Sequence, residues 1–206
     1  MKNSSVSPTM TTDTRKASGN LIKDLKSIPS PVFYIFAAVA VFAGLFVGGF
    51  TVYGVFTTIF LLLLVACAAA DIKAGIVPDL IVLAIAVLAV INYFVTEPIS
   101  LNTALPHLIG AVCVSVPMLI AALIIKGAFG GGDIKLMAAA GLYLGWKYTL
   151  AGMVVGMLVA GIYGLYLIIT KKLGPKSKLK LAPFLAYGLG AASLFGDLMI
   201  RLIFGW

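Results

Sequence analysis

Two aspartates in this sequence stand at the edges of apolar segments. Asp71 directly follows an apolar run, and Asp133 follows three consecutive glycines and precedes another apolar run. Acidic side chains in or beside such segments are costly and are therefore candidates for a functional site. Two carboxylates that share a water molecule can hydrolyse a peptide bond, because the ionised one takes a proton from the water and the protonated one polarises the carbonyl. The residue types therefore predict Asp71 and Asp133 as a catalytic pair.

The glycines before Asp133 give the backbone around it unusual freedom. Gly130, Gly131 and Gly132 can adopt conformations that other residues resist, and they allow an extended substrate strand to lie close to the enzyme. A helix that begins near Asp133 would place this carboxylate at the positive end of the helix dipole. The same pattern is also typical of a simple helix start in which Asp133 is only the N-cap.

The composition indicates a membrane protein. Of 206 residues, 62% are hydrophobic and 11% are charged, and the mean hydropathy is +1.13. A soluble domain of this length cannot bury so much apolar surface. The net charge of +8 is carried at the ends of apolar runs, which excludes a nucleic-acid-binding module. No C-x-x-C motif is present, and the single His107 has no partner ligands, so the sequence predicts no metal site and no cofactor.

The fold predicted from these runs is all-α, a polytopic integral membrane protein with six or seven transmembrane helices. A spanning helix needs about 20 mainly apolar residues. Residues 32–206 are interpreted as one membrane domain, preceded by a cytoplasmic arm, residues 1–31. Apolar residues between Leu21 and Ile28 recur at helical spacing and suit a short interfacial helix, and residues 1–18 also suit a disordered tail. The fifth of the candidate segments is short, which leaves the number of spans open. The segments are 32–49, 51–70, 78–95, 104–125, 134–146, 149–170 and 182–204. In the sixth segment, small residues recur every four positions from Gly152 to Gly164, which predicts close helix packing.

The placement of basic residues predicts the orientation. If the N-terminus is cytoplasmic and seven segments span, thirteen of the fifteen Lys and Arg residues fall on the inner side and only Lys147 and Arg201 on the outer side. Such a bias orients membrane proteins. This threading brings Asp71, Asp79 and Asp133 to the same cytoplasmic face although they are distant in sequence.

The residues around Asp133 resemble those of a known family. Gly130-x-Gly132-Asp133 resembles the G-x-G-D signature of membrane aspartic proteases. Its continuation, Ile134-Lys135-Leu136, looks like the type IV prepilin peptidase form of that signature.

Two further segments resemble the same family. Asp71, followed seven residues later by Pro78 and then Asp79, resembles the family's first motif. The segment that begins at Pro183 resembles its Pro-Phe-Leu-Ala-x-Gly element. The three motifs occur in the family's order and cover about residues 60–190.

The resemblance implies a specific activity and location. Such peptidases cut the basic leader from prepilins or pilin-like subunits at the cytoplasmic face of the prokaryotic plasma (inner) membrane. The implied partners are therefore the prepilin substrate and the lipid bilayer, and no oligomeric state is indicated. The chain looks like the compact tight-adherence or Flp-type form, and N-methylation is not predicted. The residues implied to bind substrate or shape the site are Gly130, Gly131, Gly132, Lys135, Pro78, Asp79 and Pro183.

Several alternatives remain at this point. Membrane acids and glycine-interrupted helices also suit a small proton- or ion-coupled transporter, and G-x-G-D also occurs in presenilin-like proteases. For Asp79, N-capping of the third segment is favoured over catalysis. Lys135 is interpreted either as a group that keeps Asp133 ionised or contacts substrate, or as an anchor at the inner face.

Overall fold

A computed structural model describes residues 31–98, 100–125, 129–170 and 180–205, without the side chains of 31–33. The arm predicted for residues 1–31 lies outside this range except for Pro31, as do most of the lysines after the sixth segment. The described part of the chain is helical throughout, which confirms the predicted all-α class. The helices are α1 (Pro31–Gly48), α2 (Val52–Ala74), α3 (Asp79–Thr96), α4 (Leu101–Cys113), α5 (Ser115–Ile124), α6 (Gly131–Leu144), α7 (Trp146–Ile169) and α8 (Ala182–Phe204).

Five stretches of helix are long and apolar enough to cross a membrane. They are α2, α3, the α4–α5 stretch Leu101–Ile124, α7 and α8, and a shorter apolar helix covers Tyr34–Gly48. The 14 residues of α6 reach only about 21 Å, whereas the hydrocarbon core is about 30 Å thick. The structure is therefore that of a polytopic membrane protein, and α6 corresponds to the segment whose shortness left the count open.

The break between α4 and α5 has a local cause. Val114 separates the two helices, and Pro117 lies three residues later. Proline has no backbone N–H to donate to the carbonyl of Cys113, so the regular hydrogen-bond ladder cannot continue through this point. The predicted segment 104–125 is thus one apolar stretch made of two helices.

Short connections alternate the helix directions and bring specific ends together. Residues 75–78 join α2 to α3, and Gly145 alone separates α6 from α7. The C-terminal end of α2 consequently lies at the same end of the bundle as the N-terminal ends of α3, α6 and α8. Helix α2 packs against α3 and α8, and α6 packs against the same two helices. We refer to this end of the bundle as the site end.

The core lies between α2, α3, α6 and α8. Phe60, Leu136, Leu185 and Leu189 are fully buried there, and Phe60 stacks on Tyr143 with ring centroids 4.3 Å apart. Large apolar side chains on the outside of the bundle are exposed, as expected of a surface that faces lipid.

Close packing of α7 on α8 confirms the prediction from the small residues of the sixth segment. A Cβ placed on Gly156 would lie 2.8 Å from the carbonyl oxygen of Phe184, and one on Gly152 would lie 3.0 Å from that of Gly188. A Cβ on Gly188 would overlap the backbone oxygen of Gly152. In lipid, such backbone contact replaces the hydrophobic driving force that water supplies to soluble bundles.

We expect Gly188→Ala to destabilise the protein, because its methyl group would push α8 away from α7. The expected loss is about 1–3 kcal/mol in the free energy of unfolding in detergent. Gly161→Ala on α7 is the matched control, since nothing lies within 4 Å of its Cβ. The control should be neutral or more stable by about 0.5–1 kcal/mol, because alanine favours helix over glycine. Equal stabilities of the two variants would contradict the packing described for this interface.

Candidate active site

Asp71 lies in the last turn of α2 and is buried, with 6% of its surface exposed. The helix ends at Ala74, because Gly75 adopts a left-handed conformation with φ 66° and its N–H donates to the backbone oxygen of Asp71 at 2.8 Å. A glycine in this conformation is a common helix terminator. The chain therefore leaves α2 one turn after Asp71 and enters α3 after the short connection 75–78.

Asp133 lies in the first turn of α6 and is also buried, with 9% of its surface exposed. Gly130 is the N-cap, so the interpretation of Asp133 as the N-cap is wrong. Asp133 is the third helical residue, and its carboxylate turns back towards Gly130, whose backbone N–H stabilises the negative charge. This arrangement resembles the returning half of a capping box.

Two of the three glycines before Asp133 allow close approach of neighbouring groups. None of the three has a positive φ, so the structure does not use the backbone freedom that these glycines permit. A Cβ on Gly130 would lie 3.1 Å from Oδ2 of Asp133, and one on Gly132 would lie 2.6 Å from Cβ of Val77. Gly131 has open space around it. Two of the glycines therefore make room, one for the Asp133 carboxylate and one for the α2–α3 connection.

The structure brings the two aspartates into electrostatic range at the site end. Asp133 lies outside the five spanning stretches, and burial raises its pKa to about 6, with the charge of Asp71 adding to the increase and the Gly130 N–H opposing it. The thiol of Cys67, one turn before Asp71, is fully buried and lies within range of both carboxylates. Two like charges within electrostatic range oppose each other's ionisation, which is why Asp71 contributes to the raised pKa of Asp133.

Asp71 also faces the beginning of α8. Pro183 lies in the first turn of this helix, where its fixed φ suits a helix start. The backbone N–H of Ala182 and the ammonium group of Lys180 both lie near the Asp71 carboxylate. Oδ2 of Asp71 is buried and accepts no hydrogen bond from any described residue, which leaves it available to a water molecule or a substrate.

Lys180 is a site residue that reasoning from the sequence missed. Its Nζ donates to the backbone oxygen of Ile72, at the C-terminal end of α2 and next to Asp71. In the sequence it is the last of a run of lysines that also fits a cytoplasmic loop, which hid its role. Its position three residues before Pro183 was the available signal.

Asp79 and Lys135 form an ion pair at the site end, where Asp71 and Asp133 also lie. The N-cap of α3 is Pro78, whose side chain makes no capping bond, and Asp79 is the first helical residue. The prediction that Asp79 caps this helix is therefore wrong, because Pro78 occupies the cap and the Asp79 carboxylate accepts from Nζ of Lys135 at 2.8 Å. Lys135 accordingly contacts Asp79 and not Asp133.

The other chemically reactive side chains lie elsewhere. His107 is near the opposite end of the bundle, with Nδ1 2.9 Å from the backbone oxygen of Leu142. Within the ranges that the structure describes, no group of three His, Cys, Asp or Glu side chains can hold a metal ion.

The fold and the site define a polytopic membrane protein with two buried acidic side chains at one end of its helical bundle. The chain belongs to the type IV leader peptidase family, whose model matches residues 58–165. The matched range contains Asp71 and Asp133 and ends before Pro183. Which side chains perform the reaction stays a prediction from the motifs and the geometry.

Curated relatives support the same family. The chain is 30% identical over 142 residues to a prepilin leader peptidase/N-methyltransferase of Bacillus subtilis (strain 168), covering 69% of this chain and 56% of that protein. It is 34% identical over 76 residues to one of Aeromonas salmonicida (strain A449), covering 37% of this chain and 26% of that protein. The chain thus spans at most about half the length of these relatives. No solved structure matches.

We expect Asp133→Asn to stabilise the protein at neutral pH. The folded-state pKa of Asp133, about 6, lies above its ordinary value of about 4, so folding favours the protonated form. The stability contributed by that proton is complete below about pH 4 and is lost as the pH rises through about 6. The free energy of unfolding of Asp133→Asn should therefore exceed that of the wild type by about 1–3 kcal/mol at pH 7.

The difference should vanish near pH 4, as measured by denaturant unfolding in detergent at both pH values. Glu97→Gln provides the control for loss of an acidic group at the opposite end. If Asp133→Asn is less stable than the wild type at pH 7, burial of the ionised Asp133 carboxylate does not destabilise the folded protein.

Proposed function

We propose that this protein is an aspartic endopeptidase that removes the basic leader from prepilins or pilin-like subunits. The observation that supports it most directly is the meeting of two buried acids, Asp71 and Asp133, from helices remote in sequence at one end of a membrane bundle. The names of the curated relatives point to the same substrate class. For this chain we propose the peptidase activity alone.

The two carboxylates would share one proton before substrate binds. We assign the proton to Asp133, because its pKa of about 6 leaves a fraction of molecules protonated there near neutral pH and because its neighbour Lys135 is directed to Asp79. We assign the ionised role to Asp71, because the ammonium of Lys180 and the N-terminal end of α8 face it. This assignment gives one base and one acid in one buried site.

The reaction then follows from these roles. Asp71 takes a proton from a water molecule, whose oxygen attacks the carbonyl carbon of the scissile bond, while Asp133 donates a hydrogen bond to the carbonyl oxygen. The tetrahedral intermediate collapses when the C–N bond breaks and the proton held by Asp71 passes to the leaving nitrogen. The products are a carboxylic acid on the leader and a free amine on the mature subunit, and the dyad returns to its starting state.

The proposed location is the plasma (inner) membrane of a prokaryote, with the site end facing the cytoplasm. The bias of basic residues supports this orientation. The substrate's apolar helix would then lie in lipid and its basic leader in the cytoplasm. A coupling site of a transporter is expected near the bilayer midplane, whereas both acids here lie at helix ends. No observation favours the transporter.

We expect Asp71→Asn and Asp133→Asn each to abolish cleavage of a model prepilin, defined as a polypeptide with a short basic leader, a glycine and an apolar helix. Removing either the base or the acid should lower kcat by at least about 10²–10⁴-fold. Cleavage is measured in detergent or vesicles by mass spectrometry of the released leader. Glu97→Gln is the control and should cleave at the wild-type rate. Normal cleavage by either asparagine variant would refute the dyad.

The orientation can be tested by thiol labelling in cells. In a background without Cys67 and Cys113, single cysteines at Ile76 and Gly131, both exposed at the site end, should react with a membrane-impermeant reagent only after the membrane is opened. A cysteine at Glu97 should react in intact cells. Labelling of 76 and 131 from opposite sides would rule out a shared site.

A further inference from the structure

We propose that the Asp79–Lys135 ion pair is a latch that sets the separation of the two aspartates. Its catalytic consequence rests on the proposed function. Neither side chain is assigned to proton transfer, so both are positioning residues. The nitrogen and oxygen atoms of the pair are 2.8 Å apart.

The pair joins the two segments that carry the acids. Asp79 begins α3, and only the short connection 75–78 separates α3 from the helix that carries Asp71. Lys135 lies two residues after Asp133 in the first turns of α6. An ion pair between these residues therefore links the end of one acid-bearing segment to the start of the other.

A second contact also joins the start of α6 to the α2–α3 connection. Gly132 packs against Val77, which is buried, so closely that a Cβ on Gly132 would lie 2.6 Å from Cβ of Val77. This apolar contact fixes how near α6 approaches the α2–α3 connection. It does not fix rotation of the first turn of α6, which begins with flexible glycines. The ion pair between Lys135 and Asp79 supplies that restraint.

Its energetics distinguish a positioning role from a structural one. The side chains of Lys135 and Asp79 are 58% and 73% exposed. Exposed ion pairs contribute little to stability, so loss of this pair should leave the fold intact. Catalysis responds more steeply, because a misplacement of about 1 Å can cost about 10²-fold in rate.

The test is a double-mutant cycle with Asp79→Leu, Lys135→Met and the two combined, assayed on the model prepilin. Each single variant should lower kcat about tenfold and change KM less than twofold. The double variant should be no worse than either single variant, because the pair is already broken. Lys135→Arg keeps the pair and should retain most of the wild-type kcat. Glu97→Gln is the control for loss of an exposed acid.

A direct effect of these charges on the dyad gives a different pattern. Removing the negative charge of Asp79 and the positive charge of Lys135 would then change kcat in opposite directions, and the effects would add in the double variant. Either that pattern, or kcat values within twofold of wild type for both single variants, would overturn the latch.

A second readout does not depend on activity. Nitroxide labels at positions 76 and 131, where side chains have space, report the distance between the connection and the start of α6. The distribution of distances between the two labels, measured from their dipolar coupling, should be broader than wild type in Asp79→Leu and in Lys135→Met. It should be unchanged in Lys135→Arg. If the wild type fails to cleave the model prepilin while the spectra change as expected, the proposed function falls and the latch stands. Unchanged spectra in both single variants would overturn the latch whatever the activity.

Discussion

Bringing two carboxylates together in a buried site is opposed by desolvation and by their mutual repulsion, and the site end of this bundle is arranged around that cost. Burial and the charge of Asp71 raise the pKa of Asp133. Other groups offset part of the cost of burying these negative charges. The backbone N–H of Gly130 lies beside Asp133, and Lys180 and the N-terminal end of α8 lie beside Asp71. The shared proton proposed for the two acids is the state that hydrolysis by two carboxylates requires.

Much of the fold follows from the sequence because lipid imposes simple rules on it. Each apolar run must become helix to satisfy its own backbone, so the segments from 32–49 to 182–204 correspond closely to observed helices. Alternating directions then force the end of α2 and the start of α6 to the same end of the bundle. The meeting of Asp71 and Asp133 is thus a consequence of helix count and order, which single-sequence reasoning can supply.

Contacts within the site were harder to predict from the sequence, because they depend on which side chains of different helices meet. Asp79 at a helix start has the pattern of a cap, yet Pro78 takes that position and the carboxylate pairs with Lys135. The glycines before Asp133 resemble a backbone signal, but they provide room for a carboxylate and for Val77. Lys180 was hidden in a run of similar lysines, and only the three-dimensional arrangement separates it from the others.

The glycine contacts between α7 and α8 have a consequence for the surroundings of the protein. The acids and the helix end that faces them sit on α2, α6 and α8, and α8 is kept in place by backbone-to-backbone contact with α7 as well as by the core. In a membrane such contact is driven by van der Waals packing and by the entropy of the surrounding lipid. The geometry of the acids is therefore coupled to the bilayer, and lipid composition becomes a variable of the chemistry and not only of the location.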